Sequence, residues 1–289
     1  MGILTYNGRP LDCSSYLTNS SPYNFVSFVD SGYSWENVFG ADLSAQDIYG
    51  DGTHYFEDFG ESSSVHHRAL NTSTDTWDSY DGFTIDGTSN KTKLYLGRYV
   101  WSFQGNYYYS YYGTQKFINL SRRTIRDKTW SGLTSFLGEN TWSDGDPYTM
   151  YMSSGTRHYI LMLYNGSYVW ANPPWDEKIS FSGINVWKDL NNNVYYSNGT
   201  THYQFNKSSS TWSEKTWYGL SEFNGLYVWN NNRNIFVSDD NHNMYMLNTS
   251  TSTWSQITFG GPWLRPMGRH TYWYDGNLYW GEYKLNFPS

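Results

Sequence analysis

The chain is predicted to be an all-β protein made of repeated units, and three observations support this prediction. Aromatic residues make up 20% of the 289 residues, including 29 Tyr and 15 Trp, whereas charged residues make up only 16%. Large rings are favoured in half-buried strands, where they pack across a pleated surface. No window combines helical apolar periodicity with helix-capping residues. Finally, one long aromatic stretch occurs twice.

The repeated stretch is KTWYGLSEFNGLYVW from Lys215 to Trp229 and KTWSGLTSFLGENTW from Lys128 to Trp142. Lys, Thr, Trp, Gly, Leu, Phe, a second Gly and the final Trp match between the copies. The copies begin 87 residues apart and one more diverged copy lies between them, so the period is about 43 residues. A period of this length is typical of one blade of a β-propeller.

Six segments share one layout, in which an aromatic strand ending in Trp is followed by a polar turn and a second strand. The Trp residues taken as anchors of these segments are Trp35, Trp101, Trp142, Trp187, Trp229 and Trp273. The second strands, such as 194–197 (VYYS) and 235–238 (IFVS), are β-prone and end in a small residue, as a hairpin requires.

A third and a fourth strand complete the layout. A further Trp lies six residues after Asn71, Asn206 and Asn248, beyond a polar turn. The last copy stops at residues 287–289, directly after its third strand, while residues 2–8 form a lone strand near the start. Pairing of these two segments would complete the last blade and remove an open edge. The sequence therefore predicts one domain, residues 1–289, that forms a six-bladed propeller of four-stranded blades.

The repeat resembles that of the kelch family, in which a strand like IYxxG precedes a turn ending in T-x-T-W. Trp77, Trp212 and Trp254 match the blade Trp of that family and follow TSTDT, KSSST and TSTST. The resemblance covers residues 31–286, although Ser stands where kelch repeats usually have two glycines. It implies kelch-like blades similar to those in the central domain of galactose oxidase. In composition, the chain also resembles the Asn/Ser-rich kelch-like propellers encoded in tailed-phage genomes, which implies a virion protein.

Composition and charge exclude several functions. The net charge of −7 and the pI of about 5.4 argue against nucleic acid as a partner. The single cysteine, Cys13, allows no intrachain disulfide. The start of the chain lacks the basic and apolar regions of a secretory signal, and no apolar run is long enough for a membrane span. The expected location is the virion or otherwise the cytoplasm, with no membrane insertion.

Neither catalysis nor a metal or other cofactor is predicted. His54, His158 and His202 recur near one hairpin position and are interpreted as structural, whereas His66 and His67 lie outside that pattern. The copper chemistry of galactose oxidase needs a Tyr cross-linked to Cys, and Cys13 lies outside the repeats. Sialidase boxes and the usual nucleophile and zinc motifs are absent.

Residues that break the repeat are better functional candidates than residues that recur in it. Two linking segments place a Trp beside prolines, with arginines near the second: Pro173, Pro174, Trp175, Trp263, Arg265 and Arg269. Such rings can anchor a sugar or a protein partner, or each can cover the end of its own blade. The first hypothesis is an interaction module that docks on other virion proteins or presents a receptor-binding face. The alternative is a glycan-binding or glycan-active propeller that recognises a host cell-surface glycan.

Overall fold

The structure is a computed structural model that describes residues 5–6, 9–10, 29–39, 43, 48–59, 65–92, 94, 96–173, 175, 179–262, 264, 266, 268 and 271–288. Strands joined by turns account for these residues, with a few 3-10 turns and no α-helix in the described ranges. The all-β prediction is confirmed.

The strands, in chain order, are β1 (Thr5–Tyr6), β2 (Arg9–Pro10), β3 (Val29–Asn37), β4 (Ile48–Gly50), β5 (Tyr55–Phe59), β6 (His66–Asn71), β7 (Thr76–Tyr80), β8 (Thr84–Ile85), β9 (Val100–Phe103), β10 (Asn106–Tyr112), β11 (Thr114–Asn119), β12 (Thr124–Asp127), β13 (Phe136–Leu137), β14 (Thr141–Trp142), β15 (Met150–Gly155), β16 (Arg157–Tyr164), β17 (Ser167–Ala171), β18 (Phe181–Ser182), β19 (Val186–Lys188), β20 (Val194–Asn198), β21 (Thr201–Asn206), β22 (Thr211–Glu214), β23 (Val228–Asn230), β24 (Ile235–Ser238), β25 (Met244–Asn248), β26 (Thr253–Gly260), β27 (Thr271–Tyr274), β28 (Asn277–Trp280) and β29 (Tyr283–Asn286).

Most strands belong to antiparallel units of four, which we number along the chain. Units 1 to 5 are β4–β7, β9–β12, β14–β17, β19–β22 and β23–β26. Unit 6 consists of β27, β28, β29 and β3. Because β3 also pairs in parallel with β26, units 5 and 6 form one eight-stranded sheet. The short strands β8, β13 and β18 extend units 2 and 3, and β1 and β2 form a separate two-stranded sheet.

The fourth strand of unit 6 comes from the first part of the chain. Trp35 of β3 lies opposite Leu285 of β29, and Glu36 lies opposite Lys284. An N-terminal segment therefore completes the last unit, as predicted, but that segment is β3. Of the predicted segment, residues 2–8, the structure describes only Thr5 and Tyr6, which pair with β2. The nine-residue β3 contributes a buried Trp35, whose ring lies 5.5 Å from that of Trp229, whereas β1 has only two residues.

Each unit has an aromatic residue on its first strand directly opposite an aromatic residue on its second strand. The six pairs, with ring centroids 4.3 to 5.7 Å apart, are Tyr49 and Phe56, Trp101 and Tyr108, Trp142 and Tyr151, Trp187 and Tyr195, Trp229 and Phe236, and Tyr272 and Tyr279. Four of the Trp residues taken as anchors, Trp101, Trp142, Trp187 and Trp229, hold these positions. Trp273 lies on the first strand of unit 6, where its neighbour Tyr272 supplies the stacked ring. Trp35 instead lies on the fourth strand of unit 6, and Tyr49 supplies the stacked ring of unit 1.

Aromatic residues also join each unit to the next. The fourth-strand rings of units 3 to 6 pack on first-strand rings of the preceding unit: Trp170 on Trp101, Trp212 on Trp142, Trp254 on Trp187 and Trp35 on Trp229. Ile125 of unit 2 and Tyr49 of unit 1 share a buried cluster. Unit 6 contacts unit 1, since the Tyr55 ring lies 5.4 Å from that of Tyr272 and its hydroxyl donates to the carbonyl of Trp273. The inter-unit contacts therefore follow a cyclic order.

The repeated KTWxG stretch links one unit to the next. Trp217 is buried 5.5 Å from the Trp187 ring of its own unit, and the Lys215 ammonium lies 4.8 Å from the Trp217 ring centre. The next residue, Tyr218, forms a parallel bridge to Thr253 on the fourth strand of unit 5. The stretch is repeated because each interface between successive units needs an aromatic ring that packs on the first-strand Trp and a backbone segment that pairs with the next unit.

Candidate functional site

First-strand residues of the six units line two cavities. The larger, of 340 Å³, is lined by units 1, 2, 3 and 6, and includes Tyr49, Trp101, Trp142 and Thr271. The smaller, of 220 Å³, is lined mainly by units 4 and 5 and includes Trp187, Lys188 and Trp229. Burial lowers the pKa of Lys188, and the nearby charge of Lys207 lowers it further.

A 3-10 turn that begins with glycine precedes the first strand of units 2 to 5. The turns are Gly97–Tyr99, Gly138–Asn140, Gly183–Asn185 and Gly225–Tyr227. Successive turns contact one another. A Cβ built on Gly183 would overlap the carbonyl oxygen of Asn140 in the preceding turn, so the backbones meet where only glycine fits. The turns therefore form a continuous surface at one end of the first strands.

The second residue of each turn breaks the repeat. Ile184 and Leu226 stand at this position in units 4 and 5, whereas Arg98 and Glu139 stand there in units 2 and 3. Arg98 is exposed and lines the larger cavity, and Glu139 is half-buried. By the criterion that repeat-breaking residues are the better functional candidates, the turns of units 2 and 3 mark the candidate site.

Three tyrosines adjoin these charges, and we call the set Arg98, Tyr99, Tyr111, Tyr112 and Glu139 the tyrosine patch. Tyr111 and Tyr112, at the end of β10, are 40% and 56% exposed. The Tyr111 ring lies 4.8 Å from that of Tyr99 and 4.9 Å from that of Tyr112. The Arg98 guanidinium lies 5.8 Å from the Tyr99 ring centre. Burial raises the pKa of Tyr99, and the negative charge of Glu139 raises it further.

The patch combines aromatic faces with one cationic donor and one anionic acceptor at the edge of a cavity. Such a mixture is typical of recognition sites, where apolar faces provide contact area and a few polar groups fix orientation. Sequence reasoning missed all five residues because it aligned the repeats on Trp. Aligning them on the turn glycines, 97, 138, 183 and 225, would have exposed the charged substitutions.

Unit 1 contains a buried polar cluster that breaks the repeat in another way. The Asp58 carboxylate accepts hydrogen bonds from the Tyr49 hydroxyl at 3.2 Å, from the Leu96 amide at 2.8 Å and from the Gly97 amide at 3.3 Å. His67 Nδ1 lies 2.6 Å from the same carboxylate. Asp58 is fully buried, so the cluster supports the fold beneath the Gly97 turn and is not open to a ligand.

Of the sequence-predicted binding residues, the structure describes Pro173 and Trp175, and neither belongs to the tyrosine patch. Trp175 is only 4% exposed and lies 5.7 Å from Trp142 and 5.0 Å from Tyr151, the place that Trp217 takes in unit 4. The expectation of an exposed ring is therefore wrong for Trp175, whose buried ring packs on Trp142 and Tyr151 of its own unit. Pro173 is half-buried. Four further candidates lie outside the described residues: Pro174, Trp263, Arg265 and Arg269.

Two of the recurring histidines have structural hydrogen bonds. The Nε2 atom of His158 lies 2.7 Å from the Ile179 carbonyl, and that of His202 lies 3.0 Å from the Ser221 carbonyl. His158 and His202 lie opposite Ser153 and Ser197 on the second strands of their units, and His67 lies opposite Asp58 at the same place in unit 1. His67 is therefore the third member of this set. His54 is not, and it is partly exposed beside Asp51. Among the described residues, no three His, Cys, Asp or Glu side chains are grouped to hold a metal ion. The described ranges also contain no helix long and apolar enough to cross a bilayer.

No protein-family model and no curated protein matches the chain. Two similar solved structures are extracellular domains of hybrid two-component systems from B. thetaiotaomicron, at 13% and 10% identity and a TM-score of 0.47 each. They cover 86% and 84% of this chain and 34% and 33% of their own. PorZ, a surface component of the type IX secretion system of Porphyromonas gingivalis, aligns at 9% identity and a TM-score of 0.44, over 87% of this chain and 37% of its own. The chain spans about a third of the length of these structures.

Proposed function

We propose that the chain is a non-enzymatic interaction module in which the six units are the blades of a closed, kelch-like β-propeller. The cyclic order of contacts supports this proposal, because units 1 to 6 pack in sequence and Tyr55 of unit 1 packs against Tyr272 of unit 6. β3 closes the ring, because it supplies the fourth strand of the last blade. A closed ring of this kind protects sheet edges and presents loops at its two ends.

The tyrosine patch is the observation that carries the binding function. Most of the aromatic residues serve the buried clusters within and between units, as the six stacked pairs and the linking Trp residues do. Tyr111 and Tyr112 instead remain exposed, beside the charged Arg98 and Glu139, whereas units 4 and 5 have Ile184 and Leu226 at that turn position. Exposed tyrosines with adjoining polar groups are enriched at recognition surfaces, because a ring adds contact area and a hydroxyl adds a hydrogen bond.

The partner we propose is another structural protein of a virion or a receptor on the host cell surface. This part of the proposal rests on the compositional likeness to kelch-like propellers of tailed phages. The acidic net charge of −7 agrees with a partner other than nucleic acid.

Particles purified from the source are expected to contain this chain at an abundance in fixed proportion to a known structural protein. Quantitative mass spectrometry of density-gradient fractions measures that ratio. A soluble protein of the same cells, followed through the gradient, controls for carry-over. Recovery of the chain only in the soluble fraction would contradict its place in the virion.

A further inference from the structure

We infer that the tyrosine patch and the adjoining 340 Å³ cavity bind the end of a neutral saccharide chain. The inference rests on the proposed function, because it names the ligand of the surface that the module would present. It differs from the sequence-based glycan hypothesis, which depended on Trp175 and Trp263.

The tyrosine rings form an angled platform. The planes of Tyr99 and Tyr111 meet at 58°, and those of Tyr111 and Tyr112 meet at 71°, so the rings face in different directions. A pyranose ring has an apolar C–H face that packs on an aromatic face while its hydroxyls point to polar neighbours. Tyrosine has few side-chain torsions to fix, so contact with it has a low entropic cost.

The two charges of the patch favour a neutral polyol over a charged ligand. Arg98 can only donate hydrogen bonds and an ionised Glu139 can only accept them, whereas a sugar hydroxyl does both. An acidic sugar would be repelled by Glu139 and by the overall negative charge of the chain. The Arg98 guanidinium lies 5.8 Å from the Tyr99 ring centre, and the negative charge of Glu139 raises the pKa of the Tyr99 hydroxyl.

The cavity suits one sugar ring better than a protein segment. Its volume is near the lower end of ligand clefts, roughly 300 Å³. The hydroxyl-bearing residues Ser102, Thr141 and Ser143 line it together with the aromatic Trp101 and Trp142. A protein partner of standard size buries about 800 Å² of this chain, so its contact would extend well beyond the cavity.

The test is a glycan array that carries neutral hexose and N-acetylhexosamine oligosaccharides and the sialylated forms of the same chains. The wild type is expected to bind a subset of the neutral chains, and Tyr112→Ala to bind the same subset about tenfold more weakly. Tyr112→Phe keeps the ring and should keep most of the affinity. The matched control is Tyr148→Ala, because Tyr148 is 66% exposed in the β14–β15 loop at the other end of the first strands.

Three outcomes would overturn the inference: no binding to neutral chains, binding restricted to sialylated chains, or equal loss in Tyr112→Ala and Tyr148→Ala. If the chain binds no glycan on the array but retains a purified virion protein, the surface belongs to a protein partner, and the inference is also overturned. Tyr111→Ala replaces Tyr112→Ala if the latter loses its native near-UV circular dichroism. Failure here with the chain present in particles leaves the proposed function intact. Sugar binding by a chain absent from particles contradicts only the virion role.

Discussion

Gly183→Ala is expected to destabilise the protein by about 3 kcal/mol, because the new methyl group has no space. A Cβ on Gly183 would overlap the carbonyl oxygen and carbon of Asn140 in the preceding 3-10 turn and would approach the Trp142 ring. The obstacle is mostly backbone, so no side-chain rotation relieves it. Relief requires unit 4 to move away from unit 3, which also loosens the packing of Trp212 on Trp142.

The matched control is Gly113→Ala in the β10–β11 turn. A Cβ there meets nothing within 4 Å, and Gly113 is not among the residues with positive φ, so alanine fits without strain. Urea denaturation followed by tryptophan fluorescence measures both variants. Similar midpoints for the wild type, Gly113→Ala and Gly183→Ala would contradict the close approach of neighbouring turns.

Asp58→Ala is expected to cost about 3–5 kcal/mol of stability, as removal of one partner from a buried charged network does. The substitution leaves the Tyr49 hydroxyl and the Leu96 amide without their acceptor in a fully buried place, and His67 loses its carboxylate neighbour. Each buried donor that loses its partner retains its desolvation cost. The control is Asp51→Ala, since Asp51 binds nearby amides at the surface and has solvent to replace it.

The repeat itself suggests how the loss of the Asp58 carboxylate can be compensated. In units 2, 3 and 4, a Trp on the first strand donates its indole N–H to a buried Ser, as Trp187 does to Ser197 at 3.0 Å. Tyr49→Trp combined with Asp58→Ser reproduces that pair in unit 1. The double variant should lose less stability than the two single variants, Tyr49→Trp and Asp58→Ser, lose when their effects are added. A double-mutant cycle of urea denaturation measures this difference. Strict additivity would show that Tyr49 and Asp58 are not coupled.

The sequence was sufficient to predict the all-β class and the position of many strands. Residues 194–197 and 235–238 lie in strands, as predicted from their β-branched and aromatic content. The anchors at Trp101, Trp142, Trp187 and Trp229 were found because Trp marks a place where a large ring stacks on the second strand. The equivalent Tyr49 and Tyr272 were missed because several aromatic residues satisfy the same contact.

The remaining errors have one physical origin, which is that contacts between residues distant in the chain leave little local trace in the sequence. Nothing near Trp35 shows that its strand pairs with β29, more than 240 residues away. Trp175 was expected to be exposed because prolines flank it, yet its ring fills the same gap as Trp217. The tyrosine patch combines the 3-10 turns of units 2 and 3 with the end of β10, so it exists only after folding.

Pairing of β3 with β29 closes the proposed ring, and a disulfide between residues 36 and 284 tests it most directly. In a Cys13→Ser background, Glu36→Cys with Lys284→Cys should form an intramolecular disulfide on mild oxidation, seen as a linked tryptic peptide by mass spectrometry. The two residues are cross-strand partners, as are Gln204 and Ser213, whose cysteine pair serves as the positive control. Cross-linking of both pairs is the predicted result. Cross-linking of 204 with 213 alone would contradict the closure.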